Sequence, residues 1–344
     1  MTPPTRTEKL RNKARLKNNT SLRSWKRKFH EYTGEKLNFF QVIFRLQGSV
    51  LKTIIPWLLF FSGYSFFIAL LEYHDKHIPL QKISSGVPNV VLSLNLILSL
   101  LLIFRTNTAH ERFWEGRKLW GSLVNTVRNL ARGICVVVEE RGMSDRVEKE
   151  AALRLAIAFA VAMKLHLRHN SVNKELKALL TPPQYLKLQE TNHPPLEIAL
   201  WLGEYLQSRY RYSLLNVYQL TALQKLVDEL VDMLGGCERI IKTPMPLLYA
   251  IFLKQLLILY CLILPVELVE NLHWWTIPVM ALMSFTLFGI EELGSELENP
   301  FGRDPNDLPL DEICRTILRN VEDILRSTNN ATHFNQIPIV LKSR

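Results

Sequence analysis

Leu96, Leu100 and Phe104 recur at every fourth position, so on a helix they share one face. Such side chains make and break no covalent bond. If several copies of the helix surround an axis, they stack as apolar rings that pass ions only when wetted or widened. The same spacing serves ordinary packing in a bundle, and spacing alone leaves both readings open. Asn95 and Ser99 add polarity to the segment, and the Gly86 to Pro88 stretch can break its outer end. Backbone N–H groups freed at a helix start favour anions. An anion path past Asn95, Ser99 and Arg105 is one reading, and hydrogen bonding between packed helices is the other.

Charged residues offer further candidates. Lys254 is the sole charge in the otherwise apolar run 243–266, where a charge is costly and by default functional, unless it snorkels or contacts a carbonyl. Glu291, Glu292, Glu296, Glu298, Asp304, Asp307, Asp311 and Glu312 crowd the segment after residue 290. Oxygen ligands at that density suit Ca2+, although the spacing fits an EF-hand loop poorly. A solvated face or a partner for basic residues is the alternative. His74 with His77, and His166 with His169, are the other potential metal ligands. No phosphate loop, nucleophile elbow, zinc motif or dinucleotide fingerprint is present, and no enzymatic chemistry is visible.

The elements that must position these residues are helices. Residues 53–71, 83–104 and 271–290 are uncharged runs long enough to span a hydrocarbon core, which takes roughly 20 apolar residues. The run 243–266 is a fourth. Immediately after the second run comes FRTNTAHERFWEGRKLWG, residues 104–121, so an apolar helix leaves the membrane and continues charged and aromatic. That join suits a channel. Trp57, Tyr73, Trp274 and Trp275 sit near the run ends, where aromatic belts lie. Residues 105–242 read as mostly helical, interrupted at Pro182, Pro183, Pro194 and Pro195. Within them 151–167 resembles a fifth span, but Arg154, Lys164 and His166 make it a buried soluble helix.

The charge is unevenly placed. Of a net +10, residues 1–52 carry 13 Lys/Arg against 3 Asp/Glu, and the remainder balances. This arm abuts the first span at Lys52, which favours the anionic inner leaflet as its partner over nucleic acid. It is too long and broken for a secretory leader, and Ser21 and Ser24 alone are too few serines for a transit peptide. The segments 72–82 and 267–273 are short and poor in Lys/Arg, so the positive-inside rule puts both termini and the 105–242 block in the cytoplasm or stroma. Cys135, Cys237, Cys261 and Cys314 lie too far apart for a metal knuckle or redox pair and read as isolated, reduced thiols.

Residues 104–121, together with NPFGRDPNDLPLDEIC at 299–314, resemble the bestrophin family, particularly its bacterial and chloroplast members. The resemblance covers roughly residues 35–325. It implies an all-α membrane protein with four transmembrane helices and a large cytosolic helical region, a homopentamer around one central pore. Its neck would be Leu96, Leu100 and Phe104, where family members often carry bulkier residues at the first two positions. Chloride and similar monovalent anions would be the permeant ions, with bicarbonate or monovalent cations in a channel of the same fold, or a membrane-anchored scaffold, as alternatives. The membrane would be a bacterial inner membrane or a thylakoid. Animal members hold Ca2+ in a clasp whose positions match Glu296, Asn299, Asp304 and Asp307. Arg303, Pro305 and Asn306 replace acidic residues there, so the expectation is a channel that needs no Ca2+. Arg105, Arg112 and Arg117 either concentrate anions below the neck or, for the last two, pair with Glu111 and Glu115.

Overall fold

The computed structural model describes residues 50–74 and 87–334, and every described element is helical. The basic arm up to residue 49, the segment 75–86 with His77 and Gly86, and residues 335–344 lie outside the described residues. Among the described residues three apolar stretches are long enough to cross a membrane: Leu51–His74, Asn89–Val137 and Leu247–Glu298.

The first is helix α1, Leu51–His74, and the second lies in α2, Val87–Val137, a single helix of 51 residues. The third is not one rod. Helix α8, Leu247–Leu272, ends in a 3-10 turn, His273–Trp275, and α9, Thr276–Glu298, returns alongside it. Lys254 near the start of α8 lies 3.7 Å from Glu291 near the end of α9, which fixes the pair as an antiparallel hairpin. His273 makes the reversal with φ of 47°, a left-handed conformation unusual for a side chain with a Cβ. The sequence-based limits shift accordingly. Pro244 and Pro246 delay α8 to Leu247, with Pro246 as its N-cap. The segment 267–273, expected as a loop, continues α8 through Leu272. The helix assigned to 271–290 occupies Thr276–Glu298 instead.

Between these stretches lie α3, Met143–Leu167; α4, Lys174–Leu179; α5, Pro182–Glu190; α6, Pro194–Arg211; and α7, Val217–Lys242. Helix α10, Leu310–Phe334, follows α9. The two Pro-Pro pairs do not interrupt helices; they open α5 and α6, where a missing N–H costs nothing. Asn216 caps α7 reciprocally, its Oδ1 accepting from Gln219 N at 2.9 Å while its own N–H donates to Gln219 Oε1 at 2.8 Å. Helix α3 is the centre of the core. From Leu155 to Leu165 every residue is buried, packed between α2, α6 and α10. Its Lys164 ends that run in ion pairs with Glu175 at 2.6 Å and Asp311 at 2.8 Å. The four cysteines are free thiols, and burial pushes those of Cys237 and Cys314 up to about 12.

Candidate functional site

Helix α2 keeps one face buried and one exposed along its whole length. Leu98, Leu102, Ala109, Trp120, Leu123, Val127 and Ile134 lie inside the protein at separations built from three- and four-residue steps, so they share one face. On the opposite side Leu96, Leu100 and Phe104 are 65, 54 and 56 % exposed. The same stripe continues through Asn107, Glu111, Trp114 and Lys118 to Asn125, Asn129 and Arg132, all exposed. The join near Phe104 therefore changes the chemistry of the stripe without changing its direction.

Two sets of neighbours hold α2 in place. Helices α8 and α9 back its apolar half, and Tyr249 O–H donates to Leu101 O at 2.6 Å. Helix α7 backs the other half at very close range. A Cβ on Gly133 would stand 2.7 Å from Leu223, and one on Gly236 would stand 3.0 Å from Leu119. Asn95 is half-buried, and Ser99 O–H donates to Asn95 O at 2.7 Å, so that hydroxyl is satisfied on its own helix.

Arg105 is not on the exposed stripe. Its side chain is 3 % exposed and sits 3.4 Å from Glu291, itself 4 % exposed. Its stem crosses α9 at Gly294, where a Cβ would come within 3.2 Å of it. The expectation that Arg105 continues the anion path gives way to a buried ion pair, because its position on α2 lies on the packed face. Lys254 reaches the same Glu291 at 3.7 Å and is 55 % exposed. Two cations thus share one carboxylate between α2, α8 and α9. By sequence Glu291 belongs with the acidic segment downstream, and nothing there ties it to Arg105 or Lys254.

Arg112 also departs from expectation. Instead of pairing with Glu111 or Glu115 it donates to three carbonyls: Ile240 O at 2.6 Å, Thr243 O, and Glu298 O at 3.3 Å. It therefore binds the C-terminal ends of α7 and α9, where unpaired carbonyls concentrate partial negative charge. Glu115 pairs with Arg239 at 2.6 Å, and Arg117 is exposed.

The acidic segment folds back on itself and onto α3. Asp307 Oδ2 accepts from Asp304 N at 2.6 Å, and Asn299 Oδ1 accepts from Phe301 N at 3.4 Å. Asn306 Nδ2 donates to Glu296 Oε2 at 3.4 Å. Burial raises the Asp307 carboxyl above its usual range. Arg168 donates to Phe301 O at 3.0 Å and to Asp311 Oδ2 at 2.8 Å. Hydrogen bonds from Arg168 and Lys164 hold Asp311 down at about 2. The side chains of Glu296, Asp304 and Asp307 do not gather as a group of three potential ligands. Of the positions that match the clasp, Asp307 and Asn299 thus accept from backbone N–H groups and Glu296 from a side-chain amide.

Comparison with known proteins places this architecture. The family described as Bacterial/Fungal Bestrophin protein matches residues 31–323. The voltage-dependent anion channel-forming protein alr2987 of Nostoc sp. is 52 % identical over 300 residues, which is 87 % of this chain and 95 % of the relative. The voltage-dependent anion channel-forming protein sll1024 of Synechocystis sp. is 51 % identical over 287 residues, 83 % of this chain and 91 % of the relative. A crystal structure of a bacterial Bestrophin homolog from Klebsiella pneumoniae superposes with a TM-score of 0.71 at 30 % identity, covering 79 % of this chain and 98 % of that one. With most of its length matched in sequence and in fold, the chain belongs to the bestrophin family.

Proposed function

We propose that this chain forms a homopentameric channel that conducts chloride and similar monovalent anions passively, with Leu96, Leu100 and Phe104 of α2 lining an apolar neck. The observation that carries the reading is the exposed stripe of α2, apolar from Leu96 to Phe104 and, but for Trp114, polar from Asn107 to Arg132. Hydrocarbon would accept the first half of that stripe but not the second. A shared axis of several copies accounts for both halves, as a narrow gate leading into a wetted vestibule. Four crossings serve this arrangement: α1, the apolar half of α2, α8 and α9. With the Lys/Arg-poor segments 72–82 and 267–273 outside, both termini and the helical block face the cytoplasm or stroma.

The anion assignment is supported by relatives that bear the name voltage-dependent anion channel-forming protein. An apolar neck does not by itself dictate ion sign, so the test is the reversal potential of purified protein in a planar bilayer under a KCl gradient. Reversal near the chloride equilibrium potential supports the reading, and bicarbonate replacement then ranks the anions. Reversal near the potassium potential overturns the ion and keeps the channel. Absence of current from both the wild type and Leu100→Ala would instead favour a membrane-anchored scaffold.

A further inference from the structure

His166, on the last turn of α3, was paired by spacing with His169. The structure separates them. His169 follows the helix end with φ of 53°, and the partners of His166 come from elsewhere. His193, the residue before α6, and Glu238 of α7 converge on it. Nε2 of His166 lies 2.8 Å and Nε2 of His193 lies 2.7 Å from the same Glu238 Oε1, with the imidazole centroids 4.4 Å apart. Glu238 Oε2 accepts from Lys242 Nζ at 2.9 Å. The three ligand atoms fall within 4.8 Å of one another, and among the described residues this is the one such group of three.

Two imidazoles and one carboxylate oxygen are the donor set of three-ligand zinc sites that keep a fourth position open. Tetrahedral bonds of about 2.0–2.1 Å put ligand atoms roughly 3.3 Å apart, so each imidazole nitrogen needs to move back from Glu238 by only about half an ångström. The second carboxylate oxygen is already oriented by Lys242, as outer-shell partners orient metal ligands. Ligation costs hydrogen bonds: Glu238 only accepts, so both imidazole Nε2 atoms now donate to it and must give up those protons. His193 Nδ1 accepts from Leu196 N at 3.4 Å, and ligation through Nε2 moves the proton to Nδ1 and gives up that long contact. Beside His166 lies a cavity of about 570 Å³, lined also by His169, Gln189, Thr191 and Asn192.

We propose that His166, His193 and Glu238 bind one divalent transition-metal ion of the zinc type, fastening α3, α6 and α7 together at a place separate from the α2 stripe. The two imidazole Nε2 atoms and Glu238 Oε1 would be the ligands, with water completing the tetrahedron.

The experiment uses full-length protein in detergent, stripped with a chelator and titrated with Zn2+ by calorimetry and with Co2+ by absorption spectroscopy. The expected result is one ion per chain, with the intense visible bands of tetrahedral Co2+. Affinity should fall by more than about 100-fold in Glu238→Gln and in His193→Gln, beyond what loss of an outer-shell partner costs. Absence of stoichiometric binding, or binding unchanged in both variants, overturns the proposal. Should a variant aggregate, X-ray absorption of the zinc-loaded wild type decides. A four-coordinate shell containing two imidazoles supports the site, and an all-oxygen shell overturns it.

Discussion

The ring of Phe301 rests directly on Gly116. A Cβ at residue 116 would lie 3.0 Å from both Cε1 and Cζ of that ring, which is fully buried. The two sequence motifs of this chain, one on α2 and one in the loop after α9, are thus two sides of a single contact. Replacing Gly116 by Val should force the ring aside and destabilise the protein by about 1–3 kcal/mol, the usual cost of overpacking. Thermal unfolding in detergent measures it. A melting temperature unchanged from wild type would show that the loop yields freely.

At the proposed neck, Leu100→Ala removes the middle of three apolar side chains without touching the packed face of α2. Single-channel recording should show a several-fold larger or more persistent current with stability close to that of the wild type. An unaltered current would place the constriction elsewhere.

Glu291 stands between Arg105 and Lys254. Glu291→Gln leaves the buried Arg105 without its counter-charge, a change that costs about 3–5 kcal/mol. Adding Arg105→Met should recover much of that loss, because the orphaned charge goes with it. Lys254→Met alone should matter less, since Lys254 is more than half exposed. A double-mutant cycle on unfolding midpoints gives the comparison, and strict additivity would refute the coupling.

Asp311 supplies the pH dependence. Its folded carboxyl is held down at about 2 by Arg168 and Lys164, against roughly 3.9 in an unfolded chain. A depressed carboxylate contributes stability that is complete above its unfolded value and is lost as pH falls through the folded one. Unfolding midpoints should therefore drop between about pH 4 and pH 2, and Asp311→Asn should flatten that limb while lowering stability at neutral pH.

For Ca2+, the expected outcome is indifference. Asp307 already accepts from the backbone of Asp304, and Arg303 places positive charge in the same loop. Currents and melting temperature should be the same with Ca2+ and with chelator. A Ca2+-dependent rise in either would mean that the loop rearranges around the ion.

The sequence revealed what depends on local pattern. Composition marked the apolar runs, and periodicity placed Leu96, Leu100 and Phe104 on one face of a helix that does continue past Phe104. Local pattern also misled. Residues 267–273 are polar enough to read as a loop, yet they finish α8, because a helix emerging from an apolar layer can carry polar residues on its last turn. What stayed hidden depends on distant pairing. Arg105 with Glu291, Gly116 with Phe301 and His166 with Glu238 are each set by how helices pack, and no spacing rule reaches across that distance. Arg112 shows the limit most plainly, since its partners are main-chain carbonyls that every residue possesses.

Because α2 is one unbroken helix of 51 residues, it is about 77 Å of lever at 1.5 Å per residue. A tilt of about 5° around its midpoint would move each end by roughly 3 Å. Forces applied to the soluble end, through α7 at Gly133 and Gly236, would then reach Leu96 as displacement rather than dissipate at a hinge.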